Sequence, residues 1–219
     1  MPKIVDYAQR RRDIVDATMR IIARQGLPGA TMRDIAAEAG FANGVVKSYF
    51  GSKADLLAAT YVDVYEATNR RVVIATAGRS GLTALHAFAA EVVPLTPELR
   101  DEARVVLSFL AEVAQDPVRA REVRATMARW REWIRGWLAE AAAAGEISAE
   151  VSIDVETDIL LTYLYGAQTT SILGGESFDF EGFRTQLSYL IARLDTRHVG
   201  TRHLATGTRE SKETAQAGR

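Results

Sequence analysis

The stretch TMRDIAAEAGFANGVVKSYFGSKADLL, residues 31–57, decides how the rest of the chain is read. Thr31 is placed to cap a helix, because its hydroxyl can accept a free backbone N–H two or three residues on. Ile35, Ala36 and Ala39 then share one helical face, and Gly40 supplies the C′ residue that ends it. After Phe41 and Ala42 a second helix of about two turns runs over 43–49, with Val45, Val46 and Phe50 facing inward. Gly51-Ser52 breaks it, and a longer helix begins at Ser52 or Lys53 with Leu56 and Leu57 inward. Two short helices joined by a tight turn containing Gly form a helix-turn-helix, whose second helix is the one shaped to enter a DNA major groove.

The residues match a more specific pattern. T-x-x-x-I-A-x-x-A-G is carried by Thr31, Ile35, Ala36, Ala39 and Gly40. G-x-x-x-x-Y-F-x-x-K-x-x-L is carried by Gly44, Tyr49, Phe50, Lys53 and Leu56. Over residues 9–60 the chain resembles the DNA-binding domain of the TetR family of transcriptional regulators. Two positions depart: Ala42 stands where the family commonly has Ser, so Asn43 is expected to cap the second helix, and Lys47 stands where Tyr is frequent. Both sit at expected DNA contacts, so the operator sequence cannot be copied from relatives.

Composition bounds the alternatives. The chain has 219 residues, 47% hydrophobic and 25% charged, which is ordinary for a globular protein with a real core. It has no Cys, hence no disulfide framework, thiol nucleophile or zinc finger. The N-terminus lacks the apolar segment of a signal peptide, and the longest uncharged run, residues 159–175, is too short and polar to span a membrane. The cytoplasm is the expected location, with no membrane partner. Net charge is −1, but residues 1–53 hold nine Lys and Arg against five Asp and Glu, a net +4, leaving −5 on the rest. A basic head on an acidic body suits a protein that meets phosphate with one end only.

Outward from the central stretch, periodicity predicts helices throughout. A first helix covers about 9–25, with Ile14, Ala17, Thr18, Ile21 and Ile22 as its stripe and Gly26 as its stop. Residues 1–8 read as a loose arm. Arg10, Arg11 and Arg12 read either as a solvated first turn or as a backbone or minor-groove contact. The helix from Lys53 runs to about residue 77 and is shared by head and body, a rigid lever. Five further helices are expected over 82–93, 97–115, 117–144, 153–173 and 180–194. No stretch alternates as a strand. The fold class is all-α with about nine helices: a helix-turn-helix domain over 1–55, a ligand-binding and dimerisation domain over 56–195, and a disordered tail over 196–219.

No catalytic constellation emerges. His86 has no Ser and acid at a recognisable spacing, and no Gly-rich phosphate loop follows a strand. His198 and His203, five residues apart, do not share a helix face, so neither a metal site nor a cofactor is expected. The chain reads as no enzyme.

On the DNA side, Asn43, Gly44 and Lys47 at the front of the second short helix are placed for base edges, with Lys47 suited to phosphate or mixed use. Thr31, Arg33, Tyr49 and Lys53 are placed for phosphates of a double-stranded operator. Tyr49 reads equally as core. One such helix reads few base pairs, so a homodimer presenting two copies about 34 Å apart is expected. The resemblance implies the same. Leu161, Tyr165, Phe183, Leu187, Leu190 and Ile191 are the expected interface, because residues 159–167 are apolar nearly all round.

The body is expected to hold a small-molecule effector. Trp130, Trp133 and Trp137 form a stripe on one helix with Met127 a turn earlier, and Phe88, Phe109, Tyr163 and Tyr165 are candidates to face them, with Glu112 or Gln168 as polar anchor. The stripe reads also as plain core. RWREWIRGWLAEAAAAGEI (129–147) and LLTYLYGAQTTSILGG (160–175) resemble the betaine-regulator, BetI-like, subgroup. That resemblance implies choline-type cations as effectors, which Trp faces attract; relatives sense many compounds, so the ligand stays open. Two readings remain: a dimeric repressor released from a palindromic operator by a small molecule, or a small-molecule-binding α-bundle that does not bind DNA. The basic head with its fixed-spacing motif favours the first.

Overall fold

The computed structural model describes residues 6–114 and 116–196. The tail read as disordered, with His198 and His203, and most of the N-terminal arm lie outside them. The described residues form nine α-helices: α1 Tyr7–Gly29, α2 Met32–Glu38, α3 Asn43–Tyr49, α4 Lys53–Thr76, α5 Gly81–Val92, α6 Pro97–Val113, α7 Pro117–Ala143, α8 Ile153–Leu173 and α9 Phe180–Ala192. A 3₁₀ turn, Gly175–Ser177, joins the last two. The only β pairing among the described residues is an isolated bridge between Ile147 and Asp195.

Local chemistry sets the helix starts. Asp6, Thr31, Ser52, Thr96, Ser152 and Asp179 each accept a backbone N–H three residues on, filling one of the donors that a helix N-terminus leaves unpaired. α1 is broken where expected: Gly26 adopts φ 70, a left-handed conformation natural to glycine, and one further helical turn containing Pro28 follows before Ala30.

Two apolar clusters result. The head cluster joins Ile14, Ile22, Ile35, Val46 and Phe50 to Leu56 and Tyr61 of α4, and then to Val105, Phe109 and Val113 of α6. The body cluster gathers Phe88, Trp130, Ile134, Leu138, Leu160, Leu164 and Leu187. The head core therefore runs well past residue 55. Phe109, 1% exposed and stacked on Tyr61 at 4.3 Å, is a body-helix residue that serves it. Burying one such side chain is worth about 1.5–3 kcal/mol. The other end of α6 is pinned to α8: Arg100 donates Nε–H to the Ser171 carbonyl at 2.9 Å, bonds the Gly175 carbonyl, and lies over the Phe178 ring. α4 and α6 thus connect head to body at two places.

Candidate DNA-reading face and effector chamber

The helix pair of the head is fixed by short-range bonds. Thr31 and Asp34 form a capping box, with the Asp34 N–H donating to Thr31 Oγ1 at 3.2 Å. Gly40, at φ 72, turns the chain out of α2, and Phe41 N–H donates back to the Ala36 carbonyl at 2.9 Å. α3 begins at Asn43, one residue earlier in role than expected: Ala42 is the N-cap, and no side chain fills that cap. Asn43 is thereby spared for other work. Val46 and Phe50 turn inward, whereas Asn43, Gly44, Lys47 and Ser48 are exposed. A Cβ added at Gly44 would meet nothing within 4 Å, so no contact within the chain requires glycine there.

The expected phosphate contacts divide. Thr31 and Arg33 are exposed. Lys53 is half-buried, and its Nζ donates to the Leu27 carbonyl at 2.7 Å, tying the start of α4 to the turn after Gly26. That bond gives it a structural task the motif did not reveal. Tyr49 is half-buried and stacks on Tyr7 at 4.4 Å. Tyr7, read as arm, is part of the face. Arg10 and Arg11 lie over the rings of Phe41 and Phe50, at 5.7 and 5.1 Å, so these two stack on the helix pair, while the exposed Arg12 donates to Gln9 Oε1 at 2.7 Å. On the far side Arg20 and Arg24 clamp Glu38 of α2 at 2.9 and 2.7 Å. Their hydrogen bonds, that of Arg24 foremost, hold the Glu38 carboxyl down to about 2.

In the body, five helices enclose a small chamber lined by Tyr61, Tyr65 and Thr68 of α4, Glu91 of α5, Glu102 of α6, Trp130 of α7, and Tyr165 and Gln168 of α8. Its free space is about 30 Å³, room for about two water molecules. Trp130 organises the walls: its ring lies 5.6 Å from Tyr65 and 6.4 Å from Tyr165, and its Nε1–H donates to Asn69 Oδ1 at 3.0 Å. Burial pushes the Tyr165 and Tyr65 hydroxyls up, so both stay neutral. Gln168 is buried, and its Oε1 has no hydrogen-bond partner. A buried orphan acceptor costs about 1–3 kcal/mol until a donor reaches it. Two carboxylates against one guanidinium charge the wall: Arg71 grips Glu102 with Nη1 and Nη2 at 2.9 and 2.8 Å and donates Nε–H to Glu91 at 3.1 Å. Burial opposes the Arg71 charge, and the two carboxylates more than offset it, raising its pKa.

Of the residues expected to face a ligand, the chamber includes Trp130, Tyr165 and Gln168. Trp133 and Trp137 are half-buried behind it, packed on Phe88, which is core. Phe109 lies behind Tyr61. Tyr163 packs on the body core, its buried hydroxyl unpartnered. Met127 lines a separate open groove of about 750 Å³ with Leu110, Arg124, Arg131, Asp158 and Leu161. Glu112 is exposed at the head–body junction, beside Leu27, Lys53 and Leu57, so it does not anchor a ligand among these aromatics. Tyr61, Tyr65, Glu91 and Glu102 were not expected here. The signal in reach was Tyr61, Tyr65 and Thr68, at i, i+4 and i+7 on the lever helix.

Much of the expected dimer face is turned inward within the single chain. Leu161, Phe183, Leu187 and Ile191 are buried in the body core, and Leu190 and Tyr165 are half-buried. The apolar residues left outside on α8 are Val155, Ile159 and Leu173, with Gly166 on the same stripe and Tyr189 exposed on α9. α8 is apolar nearly all round, so its sequence does not say which side faces in; packing against α6 and α7 decides it.

Known proteins share this arrangement. Residues 14–60 match the family described as bacterial regulatory proteins, tetR family, and residues 82–196 match BetI-type transcriptional repressor, C-terminal. The HTH-type transcriptional regulator PksA of Bacillus subtilis is 40% identical over 72 residues, 33% of this chain and 35% of that protein. The regulator BetI of Burkholderia cenocepacia is 43% identical over 79 residues, 34% of this chain and 41% of that one. The chain thus spans only about a third to two fifths of the length of these curated relatives. A transcriptional regulator from Saccharomonospora viridis in complex with choline shares the fold, with TM-score 0.77 at 24% identity, covering 84% of this chain and 96% of that one. One from Rhodococcus sp. Rha1 has TM-score 0.73 at 22% identity, covering 84% and 95%. Both ends of the chain, matched separately and joined by the shared α4, lead to one conclusion: the chain belongs to the TetR family of transcriptional regulators.

Proposed function

We propose that this regulator is a homodimeric repressor, acting in the cytoplasm without catalysis, that is released from a palindromic operator by a small organic monocation. The observation that carries the effector class is the chamber: Trp130, Tyr65 and Tyr165 supply ring faces, the charged wall sums to −1, and Gln168 Oε1 lacks a donor. Ring faces attract quaternary ammonium groups, and a hydroxyl on the same molecule would satisfy Gln168. The choline complex of the Saccharomonospora viridis regulator supports that chemistry.

The chamber's size supplies the mechanism. A quaternary ammonium alcohol finds little free space between these walls, so its entry is expected to part α4, α6 and α8. A ligand that binds only the parted state shifts the protein toward it, and operator affinity falls by the same coupling, typically about 1–3 kcal/mol. α4 carries the shift to the head, because Tyr61 and Tyr65 line the chamber and Leu56 and Leu57 lie in the head core. At the head, Asn43, Gly44 and Lys47 meet base edges, and Thr31, Arg33 and Tyr49 meet phosphate. The α8 stripe of Val155, Ile159 and Leu173 packs against its symmetry mate.

The test is fluorescence anisotropy with labelled DNA from upstream of the protein's own gene, at fixed salt, with and without choline chloride. The expected result is binding that choline weakens roughly 5- to 150-fold, with Trp130→Ala binding the same DNA but no longer responding. Binding that choline leaves unchanged would reject the effector class; no binding at all would reject the repressor.

A further inference from the structure

The chamber's charged wall is also a wall of a second space. Glu91, Leu99 and Glu102 line both the chamber and an open groove of about 350 Å³ on the outer surface, where Arg71, Glu98 and Arg184 join them. Arg71 therefore stands at the mouth between outside and inside. Its fork binds Glu102 on α6, its Nε–H binds Glu91 on α5, and its own backbone belongs to α4. One guanidinium thus ties three helices together, and the parting of α4 from α6 that a ligand requires must break it.

The opposite approach is less suited to a cation. The groove of about 750 Å³ that meets the chamber at Tyr165 carries Arg124 and Arg131 against Asp158, a net +1, whereas the mouth at Arg71 carries three carboxylates against two guanidinium groups, a net −1. Charge of that sign draws cations to the acidic opening and away from the basic one.

We propose that the Arg71–Glu91–Glu102 cluster is a counter-ion latch: the Arg71 guanidinium occupies the place an incoming organic cation takes, and the exchange frees α4 from α5 and α6. This rests on the cation reading given above and adds how the site is guarded and how occupancy reaches the head. A guanidinium fork matches a carboxylate bidentately, so the closed state is well held. A quaternary ammonium satisfies the carboxylates' charge without bridging the helices. The latch therefore opens because the two cations are alike in charge and unlike in geometry.

The experiment is calorimetric titration of the full-length wild type, Arg71→Met, Glu102→Gln and Arg184→Met with choline chloride and with tetramethylammonium chloride, each variant first checked for a wild-type circular dichroism spectrum. Removing the internal competitor is expected to tighten cation binding in Arg71→Met roughly five-fold or more, the lower end of ordinary coupling between sites. Glu102→Gln should bind more weakly than wild type. Arg184→Met removes a charge from the same groove without touching either carboxylate, and should tighten binding only slightly, well short of the gain in Arg71→Met. An equal gain in Arg184→Met would reduce the effect to net charge and overturn the latch. So would unchanged or weaker binding in a folded Arg71→Met, with the cation reading left standing. Binding by none of the four proteins would overturn both. If Arg71→Met does not fold, Arg71→Lys carries the same test, since it keeps the charge and gives up the fork, and a smaller gain in cation affinity is expected.

Discussion

The head and the chamber satisfy their polar groups in opposite ways. In the head the bonds are of shorter span: Thr31 pairs with Asp34 and Ser52 with Asp55, each three residues apart, while Arg24 reaches Glu38 across 14 and Lys53 reaches Leu27 across 26. Around the chamber they span the chain: Arg71 reaches Glu102 across 31 residues, Trp130 reaches Asn69 across 61, and Arg100 reaches Ser171 across 71. One chamber group, Gln168 Oε1, is left without any partner. Buried polar groups are nearly always paired, so an orphan marks a place kept for something else. The head is a finished surface waiting for a flat, charged partner. The chamber is an unfinished interior.

The comparison can be tested at several strengths. The strongest test is Phe109→Ala, at the point where α6 of the body completes the head core. Emptying a buried aromatic site costs about 3–5 kcal/mol, read as a shift in the urea midpoint. A single transition would show that head and body unfold together. Two transitions, only one of them shifted, would separate the two regions more sharply than their shared core implies.

Next is Ile159→Glu on the exposed α8 stripe, which should give monomers in sedimentation velocity and lower operator affinity roughly a hundred-fold through lost bivalency. Leu187→Glu, by contrast, should unfold the body, because Leu187 is 1% exposed in its core. A folded, dimeric Ile159→Glu would move the interface off this stripe.

Thr31→Ala is milder. It removes one side of the capping box and should cost about 1 kcal/mol in thermal or urea unfolding, with cation binding unaltered. An effect on cation affinity would break the division into separate local and long-range networks.

The smallest effect concerns pH. The Glu38 carboxyl is lowered from 4.5 to about 2 by Arg24 and Arg20. A depressed folded value means its contribution is complete above the unfolded value and fades as pH falls through the folded one. Glu38→Gln should therefore melt slightly below wild type near neutral pH, and the gap should close as pH falls from about 4.5 toward 2. A gap that persists at pH 2 would assign the difference to packing.

These contrasts explain what could be read from the residues alone. The helix pair was legible because Thr31, Gly40 and Ser52 act within a turn of themselves, and because the inward faces of α2 and α3 are short and unambiguous. The lever helix was legible as an unbroken periodic run. The cap of α3 was misjudged by one residue, since Ala42 holds the cap position without a capping side chain. The chamber was only half legible. A stripe search along α7 finds Trp130 but also Trp133 and Trp137, and nothing on that helix says which ring looks toward α4. Glu91, Glu102 and Tyr165 come from three other helices, and only their packing brings them together. Which side of α8 turns inward was illegible for a related reason: a helix apolar on every side carries no phase.

The tightness of the chamber has a consequence for sensitivity. When the receptive form is only a fraction of the population, the measured dissociation constant exceeds the intrinsic one by the inverse of that fraction. Weakening any bond that keeps the walls together would make the regulator respond at lower dose, with no change to a single atom that touches the inducer. Under the proposed cation mechanism, response threshold is set through Arg71 and Arg100, and chemical selectivity through Trp130 and Gln168.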